Sequence, residues 1–313
     1  MNLVRFALLV ACLSASPTAD ALENSAPSKS DRPTIGILGA SASAGFGVRI
    51  VGPGGDGPGV VGTRLSEIVL AIEDPPSIVV RDWSTASFFT RPLEIGPSAV
   101  RRCLENSPDA VLAIDFLFWF AYGVFDAKGD RIVEESQRDG LFEVGLSLLD
   151  SIEVPILVGD LPDMRGANPR MLSRWDVPSV ETLERLNLRL RAWANAKPNV
   201  RIFPLGERTR LALEDRGPPT TRSHVAGPRE RIGDASEVAR RTDVPSPALV
   251  QRDRLHPTFE GLVLMAEAAI LAMDEVPAFA QLTAAIGTDG SMPVADRVRA
   301  RLLGEDAVPA ASP

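Results

Sequence analysis

The chain has 313 residues, of which 45% are hydrophobic and 24% are charged, and its formal net charge is −8. A chain of this length and composition predicts a globular protein with one large core or two small ones. Basic residues are interspersed among acidic ones, so nothing in the charge pattern favours binding to nucleic acid or to anionic membranes.

The first 21 residues are typical of an export signal. Arg5 ends a short charged region, residues 6–14 are apolar, and Ala19-Asp20-Ala21 forms an Ala-x-Ala cleavage site. We therefore expect a periplasmic or secreted protein, with a polar linker over residues 22–32. A lipoprotein signal ending at Cys12 is an alternative that the short apolar stretch disfavours, and a disordered tail is another.

The remainder of the chain alternates short apolar runs with helical patterns. The runs predict five strands, at Thr34–Leu38, Ser77–Val80, Ala110–Ile114, Val154–Val158 and Val200–Pro204. Apolar residues at helical spacing predict six helices, at Gly62–Ile72, Pro97–Glu105, Gln137–Ile152, Val180–Ala194, Thr258–Met273 and Val294–Leu303. Strands that alternate with helices predict an α/β fold, in which helices cover both faces of a parallel sheet.

Two stretches depart from this alternation. Residues 45–60 are rich in glycine and proline and are predicted to form a loop. Residues 206–252 are charged, rich in proline and arginine and weakly periodic, which predicts an irregular insertion of the kind that often serves as a lid. We expect one domain over residues 33–290, followed by a C-terminal helix and tail over 291–313.

Cysteine and histidine are both scarce. Cys12 and Cys103 are the two cysteines, so removal of the export signal would leave Cys103 without a partner for an internal disulfide. The sequence contains no Cys-His cluster of the kind that holds structural zinc. We therefore expect neither a metal nor an organic cofactor. No segment after the export signal is apolar over a length that spans a bilayer.

Ser41 is the first candidate for chemistry. It follows the first predicted strand by three residues, within Gly39-Ala40-Ser41, where small residues allow a tight turn. Parallel sheets bind ligands beyond the carboxyl ends of their strands, so Ser41 is placed for nucleophilic attack, and its own N–H can help to hold an oxyanion. An ordinary strand-to-loop turn of small residues is the alternative interpretation.

Asp253 and His256 form the second candidate, just before a strongly predicted helix. A histidine titrates near neutral pH, which suits a general base, and a carboxylate three residues earlier can orient the ring. The alternative is that Asp253 and Pro257 cap the helix and His256 lies in a surface turn. His224, the other histidine, falls in the irregular stretch and is interpreted as a loop residue.

Gly39-Ala40-Ser41 with Gly45, and Asp253-Arg254-Leu255-His256-Pro257, together resemble the first and last motifs of the SGNH (GDSL-like) hydrolase family. Order, spacing and strand count match over residues 33–275. The resemblance implies a flavodoxin-like three-layer α/β/α fold with a five-stranded parallel sheet. It also implies that Ser41 is the nucleophile, His256 the base and Asp253 its orienting partner.

Three departures from the family pattern concern the first motif and the oxyanion hole. Ala40 stands where the family has Asp. The second motif falls at Asp82-Trp83-Ser84-Thr85-Ala86-Ser87, which lacks the family's glycine, so Ser84 and Ala86 are the oxyanion candidates there.

The third motif lacks the family's Asn, and Asp115 is the polar residue at that strand end. Asp115 is interpreted in three ways. It is a protonated side chain that donates to the oxyanion, or an acceptor that organises the loop, or the oxyanion hole is weak and has only two backbone donors. We favour the second.

Aromatic residues cluster just after Asp115. Such a run after a buried strand usually packs in the core, but Trp119 and Tyr122 are also candidates for lining an acyl or glycan pocket. The sequence as a whole predicts an exported serine esterase or acyl hydrolase acting on a small-molecule, glycan or lipid ester. A non-catalytic ligand-binding protein on the same fold is the alternative, because the family's Asn and Gly are missing.

Overall fold

The computed structural model describes residues 32–51, 60–123, 134–214, 248–287 and 292–304, all of which belong to one compact unit. The predicted export signal, Cys12, His224 and the C-terminal tail lie outside the described residues. Within the described ranges, no helix combines the length and the apolar character needed to cross a membrane.

Five parallel strands form the central sheet. They are β1 (Thr34–Ile37), β4 (Val79–Asp82), β5 (Ala110–Ala113), β6 (Ile156–Gly159) and β7 (Val200–Phe203). Their spatial order is β4-β1-β5-β6-β7, and Ile35 is paired with Val80 on one side and with Ala110 on the other. Counted along the chain, these strands have the order 2-1-3-4-5, which is the flavodoxin-like arrangement. The strand order reverses between β1 and β5, and ligands bind beyond the strand ends at such a switch point.

Nine α-helices complete the described part of the chain. They are α1 (Leu65–Ala71), α2 (Pro92–Glu105), α3 (Phe118–Tyr122), α4 (Glu135–Leu149), α5 (Val180–Asn195), α6 (Leu205–Glu214), α7 (Phe259–Leu271), α8 (Ala280–Gly287) and α9 (Val294–Leu303). Side-chain oxygens cap two of them: Ser179 accepts the N–H of Thr182, and Thr258 accepts that of Gly261.

Two hydrophobic cores lie on opposite faces of the sheet. Helices α1, α7 and α9 pack together on one face, and α2, α3, α4 and α5 pack on the other. Every residue of β5 and β6 is buried, as expected for central strands covered on both faces. The predicted three-layer α/β/α fold is confirmed.

Several sequence-based boundaries need correction. The predicted loop at residues 45–60 contains β2 (Arg49–Val51) and β3 (Val60–Gly62), which pair in antiparallel fashion. The predicted irregular stretch 206–252 begins with helix α6, although 215–247 lies outside the described residues. Helices α3 and α8 were not predicted, because a five-residue and an eight-residue helix carry little periodicity.

Candidate active site

Ser41 lies in a tight turn that follows β1 at the switch point of the sheet. Gly39 is required there, because a Cβ atom on it would come within 2.5 Å of both Asp115 Oδ1 and Ser43 Oγ. Gly45 has a φ of +68°, and a Cβ at that position would meet the carbonyl oxygen of Thr63 at 1.8 Å. The glycines therefore let the backbone of the turn pack directly against its neighbours.

Asp115 follows β5 and holds this turn through four hydrogen bonds. Its Oδ1 accepts the Ala40 N–H at 3.0 Å and the Ser43 hydroxyl at 2.6 Å. Its Oδ2 accepts the N–H groups of Ala42 at 2.8 Å and Ser43 at 3.2 Å. Since all four partners are donors, Asp115 serves the turn as an acceptor. The N–H of Ser41 itself donates no hydrogen bond within the described residues.

Asp253 and His256 form a hydrogen-bonded pair at the start of α7. His256 Nδ1 lies 2.7 Å from Asp253 Oδ2, and Asp253 Oδ1 accepts the N–H groups of Leu255 at 3.0 Å and His256 at 3.1 Å. Burial on its own would raise the pKa of Asp253. The hydrogen bonds from the His256 ring and from the two backbone N–H groups outweigh it, so the pKa of Asp253 lies below its ordinary value.

This pairing fixes the tautomer of the imidazole. A carboxylate only accepts hydrogen bonds, so the proton of neutral His256 stands on Nδ1 and Nε2 keeps its lone pair. His256 is 4% exposed, and its ring packs against Phe46 with the ring centres 4.7 Å apart. The pair therefore has the arrangement of a general base with an orienting acid.

Gln251 and Phe46 join the two turns. Gln251 Nε2 donates to the carbonyl oxygens of Phe46 and Pro257 at 2.8 and 2.7 Å, and the N–H of Phe46 donates to the carbonyl oxygen of Ser41 at 2.9 Å. The described residues contain no hydrogen bond between Ser41 and His256. In hydrolases generally, the hydrogen bond between nucleophile and base is often long without substrate and shortens when substrate binds.

A cavity of about 600 Å³ opens at Ser41. Ala40, Ala42 and Asp115 line it beside the serine. The rest of its wall is mainly apolar and includes Phe118, Met164, Phe203, Leu205, Leu249, Val250, Leu255, Leu264 and Met265. Part of this wall comes from α6, in the stretch predicted to be irregular. A cavity of this size and character fits a small apolar group.

Ser84 does not line this cavity. Its hydroxyl donates to Asp82 Oδ1 at 2.6 Å and accepts from Arg64 Nη2 at 3.2 Å, in a separate cleft. Its backbone N–H, the group expected to serve an oxyanion, donates to the same Asp82 Oδ1 at 2.7 Å and is therefore engaged within the fold. Ala86 is half-buried and follows Thr85, whose N–H donates to the carbonyl oxygen of Gly39 at 3.1 Å.

The aromatic candidates Trp119 and Tyr122 do not line the cavity, but the Tyr122 hydroxyl bonds to two residues that do, Pro162 and Met164. Tyr122 is fully buried; its hydroxyl donates to the carbonyl oxygen of Pro162 and accepts the N–H of Met164, and burial raises its pKa. Trp119 is 5% exposed and packs against Phe89. Burial of both rings agrees with the core position that such an aromatic run usually takes, and α3 turns Phe118 to the cavity instead.

In the ranges that the structure describes, no group of three or more His, Cys, Asp or Glu side chains is arranged to hold a metal ion.

Sequence reasoning missed Phe46, Gln251 and Asn168, which hold the two turns in place. Asn168 donates its N–H to the carbonyl oxygen of Asp253 at 2.8 Å. These residues carry no catalytic signature, so nothing in the sequence marks them.

Comparison with known proteins adds a weak structural likeness. No family model matches the chain, and no curated protein does. A solved structure described as BT4096, a gut microbial diltiazem-metabolizing enzyme, is similar with a TM-score of 0.42 and 12% sequence identity. The similarity covers 77% of this chain and 46% of that one, so the chain spans about half the length of that enzyme. A likeness of this degree says nothing about activity here.

Proposed function

We propose that this protein is a serine hydrolase that cleaves carboxylic esters through an acyl-enzyme. The observation that supports this most is the Asp253–His256 pair, bound through Gln251 and Phe46 to the turn that carries Ser41. A nucleophile, a base and an orienting acid are the three parts that acyl transfer requires.

In the proposed reaction, Ser41 Oγ attacks the ester carbonyl carbon while His256 Nε2 takes the hydroxyl proton. The tetrahedral intermediate collapses, the bond to the alcohol oxygen breaks, and His256 returns the proton to the leaving alcohol. Water then attacks the acyl group on Ser41 and gives a proton to His256. The bond between the acyl carbon and Ser41 Oγ breaks, His256 returns the proton to Oγ, and the acid is released. Asp253 stabilises the imidazolium that forms in both halves of the reaction.

Backbone N–H groups are the proposed oxyanion donors. Asp115 engages the N–H groups of Ala40, Ala42 and Ser43 but leaves that of Ser41 open, so the nucleophile's own N–H is one candidate. The N–H of Ala86 is the second, because its neighbour Thr85 is bonded to the Ser41 turn. One such donor contributes about 2.7–4 kcal/mol to transition-state stabilisation.

The apolar cavity is the proposed site for the acyl group. Its wall begins beside Ser41 and is formed mainly by aliphatic and aromatic side chains. Burying a methylene contributes about 0.8 kcal/mol. We therefore expect kcat/KM to rise about fourfold per added methylene until the cavity is filled.

The test uses purified protein, a fluorophosphonate probe and short p-nitrophenyl esters. We expect the probe to label Ser41, and Ser41→Ala to abolish both labelling and turnover. Ser151→Ala is the matched control, because Ser151 is exposed at the end of α4. Equal turnover by Ser41→Ala and the parent protein would refute the proposal. Absence of both labelling and turnover in the parent would favour the non-catalytic binding protein.

Export remains a proposal of its own. It rests on the charged start, the apolar run and the Ala-x-Ala site of the first 21 residues. The intact mass of the exported protein tests it. Loss of 21 residues supports cleavage after Ala21, and lipid mass on Cys12 supports an anchor.

A further inference from the structure

Three arginines lie around one backbone hydrogen bond beside the proposed acid–base pair. The bond joins the Asn168 N–H to the carbonyl oxygen of Asp253 at 2.8 Å. Arg252 and Arg254 flank Asp253 in the chain, and Arg170 is two residues from Asn168. All three side chains are exposed. In the chain, each arginine is therefore within two residues of this hydrogen bond, which joins the loop after β6 to the turn before α7.

Arg254 shows how the two segments meet. Its φ of +57° is in the left-handed region, which is uncommon for arginine and turns this residue out of the tight Asp253–His256 turn. A Cβ atom placed on Gly166 would lie 3.5 Å from Arg254 Nη2, so the guanidinium rests directly on that glycine. Met164, two residues before Gly166, lines the apolar cavity.

The three arginines form no ion pair with any described carboxylate, in contrast to many other arginines of the chain. Arg165 pairs with Asp163, Arg185 with Asp139 and Arg210 with Glu214. The chain carries a formal charge of −8, so a group of like-charged cations beside the site is not a consequence of a basic composition. Such a group attracts anions and concentrates them locally.

We propose that Arg170, Arg252 and Arg254 bind an anionic group, a carboxylate or a phosphate, on the alcohol part of the ester. This inference rests on the proposed function. Leu255 and Pro257 line the apolar cavity, whereas the three arginines do not. We therefore assign the cavity to the acyl group and the arginines to the alcohol part, which receives the proton of His256. Guanidinium groups bind carboxylates and phosphates through paired donors. The substrate class is therefore an anionic amphiphile.

Two chromogenic esters that differ by one charge test this proposal. 2-Nitrophenyl octanoate is neutral, and 4-nitro-3-(octanoyloxy)benzoic acid carries a carboxylate on the same kind of leaving group. The readout is the ratio of kcat/KM for the anionic ester to kcat/KM for the neutral one. We expect Arg254→Gln to lower this ratio about threefold to fivefold, the size typical of an exposed ion pair, and the triple Arg170→Gln, Arg252→Gln, Arg254→Gln variant to lower it about tenfold.

Control experiments distinguish the effect of removing arginine charge from the effect of disturbing the fold. Arg81→Gln removes an exposed arginine from the edge strand β4 and is expected to leave the ratio unchanged. Raising NaCl to 0.5 M should lower the ratio in the parent protein, because added salt screens exposed charges. Thermal unfolding of each variant checks that the fold is intact. A triple variant that hydrolyses both esters with the parental ratio overturns the arginine proposal and leaves the hydrolase proposal standing.

Failure of the hydrolase proposal gives a different result. If neither ester is turned over, or if Ser41→Ala keeps the rate, the hydrolase proposal fails. Calorimetric titration with octyl phosphate then decides the arginine proposal. Tighter binding by the parent than by the triple variant supports an anion site, and equal or absent binding overturns it.

Discussion

Asp115 Oδ1 accepts the Ala40 N–H at 3.0 Å and thereby ties the end of β5 to the turn after β1. The same carboxylate takes two further N–H groups and the Ser43 hydroxyl. Ala40 has no polar side chain, and the carboxylate reaches the turn from the neighbouring strand. The shape of the Ser41 turn is therefore set by a residue 74 positions later in the chain.

Asp115→Asn is expected to reduce kcat at least about a hundredfold. The asparagine NH2 group would replace one acceptor oxygen and would face the N–H groups of the Ser41 turn, which are also donors. The free energy of unfolding should fall by about 1–3 kcal/mol. Asp109→Asn is the matched control: Asp109 accepts the Thr34 N–H at 2.8 Å at the opposite end of the same two strands. Its kcat should match the parent's in ester hydrolysis assays, and equal kcat values for the two variants would contradict the role of Asp115.

Asp253→Asn tests the pH dependence that follows from the lowered pKa of Asp253. A carboxyl group whose folded-state pKa lies below its unfolded-state value stabilises the fold above the unfolded pKa, and this contribution is lost as pH falls through the folded pKa. The parent should therefore be more stable than the variant at neutral pH. The difference should shrink below about pH 4, where the unfolded carboxyl begins to take up its proton. Urea unfolding of both proteins between pH 7 and pH 3 measures it; a difference that grows towards low pH would contradict the assignment.

The strands could be predicted because each is a short apolar run, and the prediction was poorest at the edge of the sheet. Ser77–Val80 was predicted, but β4 is Val79–Asp82, which ends in two charged residues. An edge strand has a side that no further strand covers, so polar residues are accommodated there. The apolar run is therefore shorter than the strand itself. The antiparallel pair β2 and β3 was hidden by surrounding glycine and proline.

The site was predictable only where residues carry chemistry. Ser41 and His256 stand next to a strand end and a helix start, so their types and positions mark them. The contact between Gln251 and Phe46 joins residues 205 positions apart, and no local pattern encodes it. An aromatic run indicates burial but not which ring of a short helix faces the cavity, so the sequence left both a core and a pocket position open for Tyr122.

Gly39→Ala is expected to lower both stability and activity. The added methyl group would lie 2.5 Å from Asp115 Oδ1 and from Ser43 Oγ, so the Asp115 carboxylate must move away from the turn. Overpacking of this kind reduces the free energy of unfolding by about 1–3 kcal/mol. Gly140→Ala is the matched control, since a Cβ there meets nothing within 4 Å and the residue lies inside α4. That variant should gain about 0.4–1 kcal/mol in denaturant unfolding. A Gly39→Ala variant as stable and active as the parent would show that the close approach is not needed.

Ala212→Trp tests whether the apolar cavity holds the acyl group. Ala212 lies on the face of α6 that lines the cavity, so an indole there would occupy part of its roughly 600 Å³. We expect kcat/KM for p-nitrophenyl octanoate to fall at least about tenfold, because several methylenes worth about 0.8 kcal/mol each lose their contacts. The value for p-nitrophenyl acetate, which needs little of the cavity, should change less than about twofold. Glu207→Trp is the control, because Glu207 is exposed on the same helix and does not line the cavity. If Ala212→Trp lowered the rates for acetate and octanoate equally, the acyl chain would have to lie elsewhere.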